Sequence, residues 1–249
     1  MNKNLKAAER LIVALDFDSV EKAEKLVQAL VPQGVIHFKI GIGLFTAAGP
    51  EAVERVHGCG GSVFLDLKFH DIPKTVSRAI GAAVRMNIWM ANVHAQGGAA
   101  MMREAVLAAD KAAAEHQTNP TLLLGVTVLT SMVSRDLMDL GVTRPLETQV
   151  LDLAKLAQKS GLHGIVASPI EIKAIRALCG ADFIIVTPGI RSGGPTDQRD
   201  DQQRIGTPGQ AVQDGADYIV VGRPIIEALD PVAAAEHITE EITQHHATQ

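Results

Sequence analysis

Eight short apolar runs recur along this chain at a fairly even interval, and that rhythm constrains the fold more than any other feature. They occupy residues 11–15, 35–40, 62–67, 90–94, 122–129, 164–167, 183–186 and 218–221. Most are continuous instead of alternating polar with apolar, which suits strands covered on both faces, as in a parallel sheet. Segments of helical period lie between them, at 20–30, 74–84, 99–114, 146–159 and 170–178. Eight strands alternating with helices over 249 residues is the count for an α/β fold of the (β/α)8 TIM-barrel type. A doubly wound open sheet would usually carry a glycine-rich turn after its first strand. Here the first run ends Leu15-Asp16-Phe17-Asp18, with no GxGxxG. No linker or low-complexity stretch divides the chain, so residues 1–249 are expected to form a single domain.

Composition removes several function classes. The 28 acidic residues outnumber 23 basic ones, for a net charge of −5, and aromatic residues make up only 3%. That leaves neither a basic footprint nor a set of stacking rings for nucleic acid. No apolar run approaches the ~20 residues that span a bilayer, so no membrane partner is expected. The first ten residues, MNKNLKAAER, hold no apolar stretch of the kind that directs secretion. Cys59 and Cys179 are far apart and match no CxxC pattern, which reads as two isolated buried thiols in a reducing compartment. The expected location is the cytoplasm.

Barrel enzymes place their chemistry at the C-terminal ends of the strands. Those ends deliver Asp16 from the first strand, Lys39 from the second, Asp66 and Lys68 from the third, and His94 from the fourth. The fifth ends at Thr127 to Ser131, the sixth at Ser168, the seventh at Pro188 and Arg191, and the eighth at Gly222-Arg223. Charges inside apolar strands are costly unless paired, and packing alone explains poorly why five gather at one end. Because strand side chains alternate, Asp66 and Lys68 are expected on one face, and inside the barrel they would meet Lys39. A structural ion-pair network is one reading. The other is a cleft in which alternating Lys and Asp orient a substrate and move a proton.

Gly222-Arg223-Pro224 offers close backbone approach, a fork of donors and a helix start, at a position where barrels commonly bind phosphate. The polar stretch 191–204 reads either as a solvated loop or as an active-site lid (extending over about 191–206), and Thr207-Pro208 as the cap and first residue of a helix. His70 and His94 lie near the proposed site, where packing accounts for them as well as chemistry does. Asp66 and Asp71 could hold a hard cation, but Lys39 and Lys68 would compete with it, so neither metal nor cofactor is expected. No GxSxG or Cys/His arrangement points to a covalent nucleophile.

These residues give the chain a resemblance to the bacterial orotidine 5'-phosphate decarboxylases over nearly its whole length. The most specific motif is Asp66-x-Lys68-x-x-Asp71-Ile72-Pro73-x-Thr75, flanked by Ala14-Leu15-Asp16, Phe38-Lys39-Ile40-Gly41, Val128-Leu129-Thr130-Ser131, Thr187-Pro188-Gly189-Ile190-Arg191 and Val221-Gly222-Arg223-Pro224. The resemblance implies decarboxylation of orotidine 5'-monophosphate to uridine 5'-monophosphate, with Lys68 as proton donor to C6 and Asp66 against the departing carboxylate. Lys39 would complete the charged row and, with Asp16, hold the ribose. Asp71, with Ile72 and Thr75, would reach into the neighbouring subunit's site, making a homodimer with Asp71 contributed in trans. Thr130 would meet the pyrimidine edge, while Arg191, Gln202, the Gly222 amide and Arg223 would bind phosphate. Gln198, Gln202 and Gln203 compete for the lid role, and Asp201-Gln202-x-Arg204-Ile205 fits the family pattern best. Two rivals stand beside this reading: a Mg2+-dependent sugar-phosphate decarboxylase or aldolase of the same superfamily, and a catalytically silent nucleotide-binding barrel.

Overall fold

A computed structural model of the chain describes residues 5–191 and 204–246. Eight parallel strands close into a barrel in sequence order: β1 (Leu11–Ala14), β2 (His37–Gly41), β3 (Ser62–Phe69), β4 (Met90–His94), β5 (Leu122–Val126), β6 (Gly164–Val166), β7 (Ile184–Thr187) and β8 (Tyr218–Val221). Closure comes from β1 pairing with both β2 and β8. The eight expected strands are therefore present, with shifted ends. The fifth run stops at Val126 instead of 129, and Thr127-Val128-Leu129 leave the ladder as the start of the loop that carries Thr130.

The helical pattern was also partly legible. Helices α2 (Val20–Leu30), α5 (Pro73–Val84), α6 (Gly98–His116), α8 (Leu146–Lys159) and α9 (Ile172–Cys179) fall on the five periodic segments. Helices α1 (Ala7–Arg10), α3 (Ile42–Ala48), α4 (Pro50–Gly58), α7 (Ser134–Asp139) and the C-terminal Pro231–His246 have no counterpart among the expected elements, and α3 and α4 fill the β2–β3 connection. Helix α10 (Pro208–Gln213) starts where Thr207-Pro208 suggested, with the Thr207 hydroxyl accepting from the Gln210 amide at 3.4 Å. Cys179 is buried and Cys59 only partly so, and both are free thiols.

Alternation along the strands sorts side chains into two cores. Leu11, Val13, Phe38, Ile40, Val63, Leu65, Ala91 and Val93 point outward and pack under the helices. Ile12, Ala14, Phe64, Met90, Leu124, Val186, Tyr218 and Val220 point inward and fill the barrel. The interior parity continues upward to Asp16, Lys39, Asp66 and Gly222, so the same register that buries the apolar plug delivers polar groups to the mouth. Between β6 and β7 the strands approach so closely that a Cβ on Gly164 would lie 2.2 Å from the Ile184 carbonyl oxygen, and only glycine fits there.

Candidate active site

The mouth of the barrel opens into a cavity of about 740 Å3 lined by Asp16, Lys39, Asp66, Lys68, Thr130, Arg191, Gly222 and Arg223, among others. Eight of the expected site residues thus meet around one space. Ile72 and Thr75 are solvent-exposed and do not line it, and neither does exposed Asp71, whose carboxylate accepts from the Ile72 amide at 2.6 Å. Gln202 lies outside the described residues, as does most of the 191–206 stretch.

The four charges of β1, β2 and β3 form a continuous row. Lys39 Nζ lies 3.2 Å from Asp16 Oδ1 and 3.3 Å from Asp66 Oδ2. Lys68 Nζ lies 2.7 Å from Asp66 Oδ1. Asp66 and Lys39 are nearly buried, whereas Asp16 stands more than half exposed at the rim. Burial alone would raise the Asp66 carboxyl, but the Lys39 and Lys68 ammonium groups and hydrogen bonds from Lys68 and Asn92 hold it below the ordinary carboxylate value. Burial likewise pushes Lys39 down, and the charges of Asp66 and Asp16 outweigh it, leaving the ammonium above its usual value. Both ions of this pair therefore stay charged at neutral pH. A Cβ on Gly41 would sit 3.1 Å from Lys39 Nζ, so the bare glycine leaves the ammonium its room.

The third strand does not run flat to Lys68. Leu65 pairs with Ala91 and Phe69 with Val93, so the three residues Asp66, Leu67 and Lys68 stand opposite the single residue Asn92. Lys68 adopts φ of +50°, a conformation that non-glycine residues rarely take. Simple alternation accounts for Asp66 but not for the direction of Lys68, which this bulge sets. Asn92 is fully buried; its amide donates to Asp66 Oδ1 at 2.6 Å and its oxygen accepts from the Lys68 backbone N–H at 2.8 Å. It is absent from the residues expected at the site, although a carboxamide at an inward position of an apolar strand is a readable signal.

On the opposite wall, β7 and β8 present Pro188, Gly189, Arg191, Gly222 and Arg223. Two arginines and glycine backbone at this end of a barrel offer the kind of donors that a phosphate-sized anion takes. A second feature unseen in the sequence supports the intervening loop. Arg204 and Glu171, both buried, form an ion pair, and Arg204 also donates to the carbonyls of Val128 and Leu129 at 3.2 and 2.9 Å. Glu171 in turn accepts from the Ser168 amide at 2.9 Å, three residues back, a spacing typical of helix starts. These bonds fix the backbone immediately before Thr130.

The histidines stay at the margin. His70 and His94 face each other with ring centroids 5.4 Å apart, and neither lines the cavity. Burial, then the nearby His70 and Lys68 charges, holds His94 below the ordinary imidazole value. The two lysine ammonium groups occupy the approaches to both Asp66 oxygens that a hard cation would require.

Comparison with known proteins agrees with this geometry. Residues 9–238 match the family model described as orotidine 5'-phosphate decarboxylase / HUMPS family. The orotidine 5'-phosphate decarboxylase of Trichlorobacter lovleyi is 50% identical over 236 residues, covering 95% of this chain and 96% of that one. Its counterpart from Moorella thermoacetica is 49% identical over 237 residues, covering 95% and 93%. Among solved structures, orotidine 5'-phosphate decarboxylase from Lactobacillus acidophilus superposes with a TM-score of 0.80 at 38% identity, covering 94% of this chain and 99% of that one.

Proposed function

The chain belongs to the orotidine 5'-phosphate decarboxylase / HUMPS family, and from that premise we propose that it converts orotidine 5'-monophosphate to uridine 5'-monophosphate and CO2, a carboxy-lyase step in de novo pyrimidine synthesis. The observation that carries this reading is the Asp16–Lys39–Asp66–Lys68 row beside an arginine-lined anion cradle in one cavity.

The chemistry follows from the row. Breaking the bond between C6 and the carboxylate leaves the electron pair on C6, in the plane of the ring, where the pyrimidine π-system cannot delocalise it. An ammonium held beside that carbon stabilises the developing charge electrostatically and then supplies a proton. Lys68 is that group: its N–H proton passes to C6, and the amine regains a proton from solvent. Asp66 and Lys39 keep the ammonium aimed, and the same three residues need no metal or organic cofactor to act. Asp16 and Lys39 hold the ribose, and Thr130 borders the base. Arg191, Arg223 and the Gly222 amide receive the phosphate, joined by Gln202. The phosphate is remote from the reacting bond, so its binding energy goes into orientation.

Asp71, Ile72 and Thr75 are exposed and do not line the cavity of their own chain, which supports a homodimer in which they complete the partner's site. Two variants test both parts together. Lys68→Ala is expected to lose at least ~10^3-fold in kcat while binding uridine 5'-monophosphate within about tenfold of the parent, because the proton donor and local charge go but the phosphate cradle stays. Mixing Lys68→Ala with Asp71→Ala subunits should restore one intact site per hybrid dimer. Retained turnover in Lys68→Ala would overturn the proton-donor role, and mixtures as inactive as their parents would place Asp71 in its own subunit's site.

A further inference from the structure

The third and fourth strands meet at an irregularity whose geometry has a consequence for catalysis. Three residues of β3 face one of β4, which leaves a break in the ladder of paired residues. Asn92 closes it with its side chain. One end of the amide donates to a carboxylate oxygen, and the other accepts a backbone N–H, so its two neighbours fix its orientation. No apolar residue could do either, and a carboxylate could do only one. The N–H that it accepts belongs to Lys68, the residue in the left-handed conformation. The oxygen to which it donates is the same Asp66 Oδ1 that holds the Lys68 ammonium at 2.7 Å.

Asn92 therefore grips Lys68 at both ends of its side chain, directly at the backbone and through Asp66 at the ammonium. We propose that Asn92 is a positioning residue for the decarboxylation, holding the β3 bulge so that the Lys68 ammonium points at the reacting carbon. This rests on the decarboxylase reading above and assigns to Asn92 no contact with substrate, since it does not line the cavity.

Without the amide, an unfavourable backbone conformation at Lys68 loses its tether and Asp66 loses one of its donors. The backbone then relaxes toward an ordinary strand and moves the ammonium. Displacement of a catalytic group by about 1 Å costs on the order of 100-fold in rate. Substrate binding, which depends on the distant phosphate cradle, should change little.

An aspartate at position 92 makes the sharpest probe. Ionised, it accepts from the Lys68 N–H but repels Asp66; with one proton shared between the two carboxyls, it donates and accepts as the amide does. The other charged or titratable groups around this pair are Lys39 on β2, Lys68 on β3, Asp16 at the end of β1, and His94 with His70 against it. All of these are common to the parent chain, so the ratio of variant to parent isolates the new carboxyl.

The experiment measures kcat and KM of the parent, Asn92→Ala and Asn92→Asp for orotidine 5'-monophosphate between pH 5.5 and 8.5, with active sites counted by uridine 5'-monophosphate binding. Asn92→Ala is expected to lose about 100-fold in kcat per binding site with KM within about threefold. The Asn92→Asp to parent ratio should climb as pH falls. A kcat for Asn92→Ala within threefold of the parent, or a ratio for Asn92→Asp that stays flat with pH, would overturn the inference. If Asn92→Ala fails to fold, the pH ratio of Asn92→Asp decides alone. A parent chain with no turnover would instead overturn the decarboxylase reading itself, which keeps the two failures apart.

Discussion

At the scale of single residues, the charged row shows how neighbours decide what a side chain can be. Asp66 sits where burial would neutralise a lone carboxyl, and two ammonium groups keep it ionised. The row was readable because charge inside an apolar strand needs a reason, and Asp16, Lys39, Asp66 and Lys68 were each found that way. Asn92 escaped because it carries no charge, although its amide has the same need for partners. Arg204 escaped for another reason: its partner Glu171 lies on a different connection, and nothing in local sequence shows that the two meet. The anion cradle gives the prediction that belongs to this scale. Truncating Arg223 to alanine should lower kcat/KM by roughly 2–5 kcal/mol, the usual loss for removing a buried charged contact. Steady-state kinetics would check it, and unchanged constants would show that phosphate is held elsewhere.

Elements carry the next level of order. Periodicity located every strand, since a strand buried on both faces must be apolar throughout and its ends follow from where that stops. It could not show the β3 bulge, because alternation assumes a flat ladder and the extra residues are defined only by pairing with β4. Helices α3 and α4 were missed because each is short, seven and nine residues, giving periodicity few turns to act on.

The starting ends of the strands carry a titratable group of their own. There His37 of β2 is buried, its ring stacked on Trp89 at 3.8 Å and edge-on to Tyr218 at 5.9 Å. Burial pushes its imidazole from 6.5 down to about 4. Above pH 6.5 the group is neutral whether folded or unfolded; as pH falls toward 4, only the unfolded chain gains the proton, so stability is lost across that window. Replacing His37 with phenylalanine keeps a ring in the stack and removes the titration. Urea unfolding at pH 7.5 and 4.5 should show the parent losing roughly 2.5 kcal/mol more than His37→Phe between the two. Equal losses would mean that His37 is protonated in the folded barrel.

For the whole molecule, the closed ring of strands is what makes two distant pieces of chemistry one site. Strand β1 lies between β2 and β8, so the row built at residues 16–68 meets the arginines and glycines of residues 188–223 although nearly half the chain separates them. A packed apolar plug beneath excludes water from below and leaves the mouth as the approach. This division of labour, with stability in the barrel and chemistry at its strand ends, is general to the architecture and explains why the sequence disclosed fold and row together. Among the described residues no helix is long and apolar enough to cross a membrane.

The Asp16–Lys39–Asp66–Lys68 row is proposed to perform the decarboxylation without a metal ion. This is tested most directly by following the orotate absorbance of orotidine 5'-monophosphate mixed with the purified chain in excess chelator. The account predicts rapid decay to the uridine nucleotide at the same rate with and without chelator. Activity that disappears in chelator and returns with Mg2+, or that acts on a sugar phosphate and leaves orotidine 5'-monophosphate untouched, would contradict it and move the chain to the metal-dependent branch of its superfamily.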